Sequence, residues 1–171
     1  MTCIIGVDPG LSGAIALLDH LGELISVNDM PVIDGRVTAA LLNVWSNEHA
    51  ITGPKPVVGI EFVHSMPKQG VASSFKFGAS WGLVHGYFGG AGHRVIDVRP
   101  QDWKKRFHLG KDKEKARRLA IERWPDHAQA FARKKDAGRA EAALIAEHVR
   151  QLLATENGQP TTTETRPCPE S

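Results

Sequence analysis

Two short apolar runs in this chain each end on an acid. Cys3-Ile4-Ile5-Gly6-Val7 leads into Asp8, and Val57-Val58-Gly59-Ile60 leads into Glu61. Both runs are rich in β-branched residues and bounded by turn formers, which predicts buried strands at 3–8 and 57–61. A carboxylate beside buried apolar surface is costly unless something pairs with it. Two further acids, Asp136 and Glu141, stand at the mouth of a helix predicted within KKDAGRAEAALIAEHV. Neighbouring strands are only ~4.8 Å apart, so acids at two strand ends and one helix start can converge. A divalent cation is the natural common partner. This pattern predicts a metal-dependent phosphoryl-transfer enzyme, in which two ions bridge one scissile phosphate.

Each acid also has a simpler reading. Asp-Pro-Gly at 8–10 makes an ordinary turn in which Asp8 caps the amides that follow. Glu61 fits an edge strand emerging into water. Asp136 fits a helix cap near Arg139. Glu141 is harder to reduce, because Leu144, Ile145, Val149 and Leu152 follow it on one helical stripe. A glutamate heading an apolar stripe is either a helix-dipole partner or a ligand aimed inward.

The rest of the pattern fills in around these runs. Strands are predicted at 13–18, 24–27 and 94–98. Helices are predicted from Thr38 (as N-cap), over 71–88, from Pro100, over 113–123 and over 139–153. Strands followed by strand–helix alternation predict an α/β layer fold with one mixed sheet. In the 71–88 helix, Gly78, Gly82 and Gly86 share one face. Mid-helix glycine costs ~1 kcal/mol, so a backbone is expected to approach there, the chain's own sheet first and a second subunit next. From Thr155 the sequence is polar and Pro/Thr-rich, which predicts one folded domain over 1–153 and a disordered tail over 154–171.

A chain of 171 residues is long enough for one domain with a core. No apolar stretch reaches the ~20 residues of a membrane span, and MTCIIGVDPG has no signal-peptide pattern. With only Cys3 and Cys168, a disulfide framework is excluded and a reducing cytoplasm fits. The charge is lopsided. Between Arg99 and Arg139, 14 Lys/Arg stand against 6 Asp/Glu, a net of +8 in a chain whose total is only +2. A basic segment on an acidic body points to an anionic polymer, and its simpler reading is a solvated helix face.

Four segments, in order, resemble the RuvC-type Holliday-junction resolvases: VDPGLSGAIALLD, VGIEFVHSMPKQGVASSFKFGASWGLVHGYF, VIDVRPQDWKKRFHLGKDKEKARRLAIERWP and KKDAGRAEAALIA. The similarity is greatest to the phage/prophage and chloroplast branch and covers about residues 3–150. It implies an RNase H-like fold, with helices on both faces of a five-stranded mixed sheet. It implies a homodimer that nicks two opposed strands of a four-way DNA junction, with two Mg²⁺ or Mn²⁺ ions per site and no nucleotide cofactor. The same resemblance implies a cytoplasmic protein, bacterial or of a phage in its host. Asp8, Glu61, Asp136 and Glu141 then match the four metal-binding carboxylates, and Lys113 the catalytic lysine near the scissile phosphate. Gly138 stands where the bacterial enzymes carry an aspartate, and Ala137 where relatives often carry His.

A basic loop facing a metal site can neutralise charge on the reacting phosphate, while other cations track the backbone. The DNA-contacting candidates are Lys104, Lys105, Lys111, Lys115, Arg117, Lys134 and Lys135. Lys68 and Gln69 belong to a loop after Glu61 suited to probing bases at the junction centre. His85, His93 and His148 are not spaced as a metal cluster. The alternatives are a broader branched-DNA or flap nuclease on the same fold, and a non-catalytic junction-binding protein.

Overall fold

The computed structural model describes residues 2–49, 53–62, 70–110, 112–156 and 158. Five strands form one mixed sheet in the order β3-β2-β1-β6-β7: β1 (Ile4–Asp8), β2 (Ala14–Leu18), β3 (Leu24–Asp29), β6 (Val57–Glu61) and β7 (Val95–Val98). The first three are antiparallel neighbours, and β1, β6 and β7 run parallel. Between them lie a small hairpin, β4 (Val32–Ile33) with β5 (Arg36–Val37), and helix α1 (Ala39–Glu48). Helix α2 (Val71–Gly90) connects β6 to β7, and α3 (Pro100–Arg106), α4 (Lys113–Arg123) and α5 (Ala137–Glu156) follow. Two 3-10 segments, Pro125–Phe131 and Lys134–Asp136, join α4 to α5.

Side chains alternate across the sheet, as strand geometry requires. Ile5, Val7, Ile15, Leu17, Val58 and Ile60 pack on Leu42 and Trp45 of α1 and Val84 and Phe88 of α2. Ile4, Ala14, Ala16, Leu18 and Val57 face the other way, onto α5, with Trp103 of α3 and Ala116 and Ala120 of α4. The expected helices on both faces of a five-stranded mixed sheet are therefore present.

Glycine allows α5 to lie on the sheet at backbone distance. A Cβ on Gly6 would stand 2.1 Å from the Ala142 carbonyl oxygen and 2.5 Å from the Ala146 nitrogen. A Cβ on Gly59 would meet Val149 at 2.5 Å. The thin backbone before Asp8 thus admits a helix.

Other expectations need correction. The stripe of Gly78, Gly82 and Gly86 does not touch the sheet; each glycine faces open space. The sheet-facing side of α2 is Ser80, Val84 and Phe88, which are buried and also four residues apart. Thr38 does sit at the N-cap of α1, but its hydroxyl donates to the Arg36 carbonyl (3.3 Å) and caps no helical amide. The last helix starts at Ala137, two residues before the expected 139, and runs on to Glu156, past the expected 153. The tail beyond residue 158 lies outside the described residues. Among the described residues no helix is long and apolar enough to cross a membrane.

Candidate active site

Asp8 and Glu61 end adjacent parallel strands. The register pairs Val7 with Ile60, so the two acids that follow stand side by side. Both lie on the α5 face, since Ile4 and Val57 on that same face pack into the α5 cluster. β6 is flanked by β1 and β7, and Glu61 is only 8% exposed. The edge-strand reading of Glu61 therefore fails. Glu141, at 6% exposure, heads the α5 stripe that crosses the same face. The N-terminus of α5 is seated by Gly138, whose missing Cβ leaves room for the Ser12 carbonyl oxygen at 2.6 Å.

These three carboxylates share a field. Burial pushes Asp8 up to about 6; Glu141 adds to the shift, while the Gly10 amide and Lys113 oppose it. Glu61 is pushed up to about 7, first by burial and then by Asp8, against the Trp103 hydrogen bond. Asp8 accepts a hydrogen bond from the Gly10 amide at 3.1 Å, so the turn reading holds for it, and it also lies in the field of Glu141. Glu61 accepts one, from Trp103 Nε1 at 2.9 Å. Glu141 has Lys104 Nζ at 3.6 Å and Lys113 Nζ at 3.8 Å, on different oxygens.

Asp136 is built differently. It is 1% exposed, and it is the last residue of the Lys134–Asp136 turn, with Ala137 beginning α5. Its carboxylate accepts from the Arg133 amide (2.9 Å) and from the Arg133 guanidinium at 3.1 and 2.9 Å, with Arg139 at 3.9 Å. Arg133 holds the Asp136 carboxyl below the usual carboxylate range. The sequence placed Asp136 with the other three; the structure instead gives its oxygens to Arg133.

The basic candidates separate as clearly. Lys105, Lys113, Lys115, Lys134 and Lys135 are exposed, and Lys104 is partly buried beside Glu141. Arg117 is turned inward. It donates to the carbonyls of Phe131 (2.9 Å) and Ala132 and to Glu114 at 2.7 and 2.8 Å, so all three of its side-chain nitrogens are engaged within the fold. It is corrected from a DNA contact to a brace between α4 and the turn that follows. Lys68, Gln69 and Lys111 lie outside the described residues. Two of the histidines are held within the fold: His93 pairs with the Pro56 carbonyl, and His148 accepts from Arg106.

Among the described residues no three His, Cys, Asp or Glu side chains are gathered tightly enough to hold an ion as placed. The chemistry of the set nevertheless fits a hard cation: three oxygen donors, little exposed, mutually repelling and each with few hydrogen bonds. Asp8, Glu61 and Glu141 would hold it, and Asp136 could join only by exchanging its Arg133 partner.

The pKa shifts predict how stability depends on pH. Asp8 and Glu61 are raised, so their contribution is present below pH 4 and is lost as pH climbs through about 6 and about 7. Asp136 and Asp29, lowered by Arg133 and Arg139, act in the opposite sense and lose their contribution as pH falls below the usual carboxylate range. Thermal melts without divalent ions should therefore show greatest stability between about pH 4 and 6. Millimolar Mg²⁺ should raise the melting temperature more at pH 8 than at pH 5. An equal Mg²⁺ effect at both pH values would remove the carboxylates from the binding event.

No family model matches this sequence, and no curated protein matches it. Solved structures do. One is described as T. thermophilus RuvC in complex with Holliday junction substrate. It superposes with a TM-score of 0.59 at 18% identity, over 92% of this chain and 97% of that one. A second, described as Thermus thermophilus RuvC, gives 0.57 at 16% identity, over 88% and 96%. This chain has the RuvC-type, RNase H-like fold. At these identities the likeness establishes the fold and leaves the chemistry to the site.

Proposed function

We propose that this protein is a divalent-metal-dependent endonuclease that resolves four-way DNA junctions. One observation carries the reading: Asp8, Glu61 and Glu141 converge on one face of the sheet, at the carboxyl ends of parallel strands, beside two lysines. The neighbour with the RuvC fold was solved with a Holliday junction, which supports that substrate class here. When bound, two Mg²⁺ or Mn²⁺ ions would supply Lewis-acid charge to the phosphodiester and its attacking water. The chain's part is to hold carboxylates in a water-poor setting, where charge acts strongly. Lys113 is two-thirds exposed and within 3.8 Å of Glu141, so it can reach a phosphate at the mouth of the site. Lys104 is better buried and sits closer, at 3.6 Å. Lys105, Lys115, Lys134 and Lys135 supply the charge that tracks the DNA backbone, and Lys68, Gln69 and Lys111 are proposed as DNA contacts from the sequence alone.

The paired nicks of a junction call for two sites related by two-fold symmetry. The open glycine face of α2, next to Phe75 at 76% exposure, is the surface proposed for the homodimer. Mixing the purified chain with junction, fork, flap and linear DNA, with and without Mg²⁺, tests this reading. Junction cutting at least about 10-fold faster than flap cutting supports a resolvase; equal rates favour the broader branched-DNA nuclease. Tight binding of the junction with no cutting of any substrate would favour a non-catalytic binder.

Lys113→Ala should slow junction cleavage about 10- to 100-fold, as expected for loss of one charge at a reacting phosphate. Junction affinity should weaken less than 3-fold, because one phosphate contact among several is removed. Single-turnover gels beside binding titrations check both.

A further inference from the structure

Helix α3 touches the site in a way its sequence does not announce. Trp103 is fully buried, and its Nε1–H donates to Glu61 Oε1 at 2.9 Å. The next residue, Lys104, lies 3.6 Å from Glu141 and 5.0 Å from the centre of the Trp103 ring. Two consecutive residues thus hold two different carboxylates. The helix itself is pinned to α5 at its far end, where Arg106 donates to His148 (3.0 Å) and to Gln151 (3.3 Å). Among the described residues, Trp103 is the only side chain that donates a hydrogen bond to Glu61.

We propose that Trp103 is the positioning residue of Glu61: its indole fixes one carboxylate oxygen, so that Glu61 meets a cation through the other. The proposal rests on the cation reading above and adds to it a residue that touches neither ion nor DNA. An indole suits the task. It is rigid, its ring packs in the core, and its one donor must find a partner when buried. It carries no charge, so it orients Glu61 without competing for the place of the cation. Partners of this kind fix a ligand's rotamer before the ion arrives, and their removal typically weakens metal binding by about 10- to 100-fold.

Free Mn²⁺, followed by its electron paramagnetic resonance signal, measures affinity without any cleavage. Trp103→Phe keeps an aromatic ring and removes the donor. The variant should bind Mn²⁺ about 10-fold more weakly than the parent. In a Glu61→Ala background the same change should alter affinity less than 2-fold, because the group through which Trp103 acts is gone. A further 10-fold loss in that background would overturn the proposal, as would unchanged Mn²⁺ affinity in the single variant. If the parent chain binds no Mn²⁺, the cation reading itself fails, and with it this one.

Should Trp103→Phe not fold, the unmutated protein still decides. Its four tryptophans give four indole N–H signals in a nitrogen-15 spectrum, assigned with variants at Trp45, Trp81 and Trp124. The Trp103 signal should shift as Mg²⁺ saturates while the others stay in place. A Trp103 signal that does not respond to saturating Mg²⁺ overturns the role.

Discussion

Asp8→Asn is expected to lower Mg²⁺-dependent junction cleavage about 1,000-fold while leaving junction affinity within about 2-fold of the parent. The fall corresponds to about 4 kcal/mol of lost transition-state stabilisation, in the range of metal-assisted phosphate chemistry. Asn keeps the size of the side chain and can still accept from the Gly10 amide, so the turn at 8–13 should survive. It removes the charge that burial and Glu141 already oppose. The variant should therefore melt at or above the parent temperature in the absence of divalent ions. Cleavage lost together with stability would indicate a folding defect, and cleavage retained would take Asp8 out of the site.

Gly6→Ala is expected to be among the most damaging small substitutions in the fold. The new Cβ would stand 2.1 Å from the Ala142 carbonyl oxygen and 2.5 Å from the Ala146 nitrogen. These are backbone atoms of a well-packed helix and cannot swing aside. Overpacking of this kind costs about 3 kcal/mol or more, which for a chain of this size lowers the melting temperature by about 6–12 °C. The displaced helix carries Glu141, so cleavage should fall even below the melt. Gly78→Ala makes a clean control, since its Cβ would meet nothing within 4 Å; there the helix propensity gain should leave the monomer fold at least as stable. A melting temperature of Gly6→Ala within 2 °C of the parent would show that α5 does not rest on β1 as described.

Local signals were read well from the sequence and non-local ones were not. Val57–Glu61 and Lys113–Arg123 fall where the apolar run and the helical pattern place them. Asp8 and Glu61 could be singled out as candidates because each ends a buried apolar run, and a carboxylate at a buried strand end has few cheap explanations. Glu141 followed from its stripe. Asp136 was harder, because its setting depends on a 3-10 turn that aims Arg133 back at it, and short turns leave little periodicity. The fate of Arg117 hangs on carbonyls of Phe131 and Ala132, which come from a later turn. The glycine stripe of α2 and its Ser80-Val84-Phe88 face share one period, so spacing alone could not say which turns inward. Trp103 sits 42 residues from Glu61, and only the rule that a buried indole finds an acceptor hinted at a partner. The hairpin at 32–37 did leave a trace, in Asp34-Gly35 with both residues at positive φ.

Strand-resolved mapping of nicks in a four-way junction tests the central claim most directly. With Mg²⁺, the parent chain should give paired nicks at symmetric positions in two opposed strands, and Asp8→Asn should give none while still retaining the junction. A parent chain that binds the junction yet leaves every strand intact in both Mg²⁺ and Mn²⁺ would contradict the account.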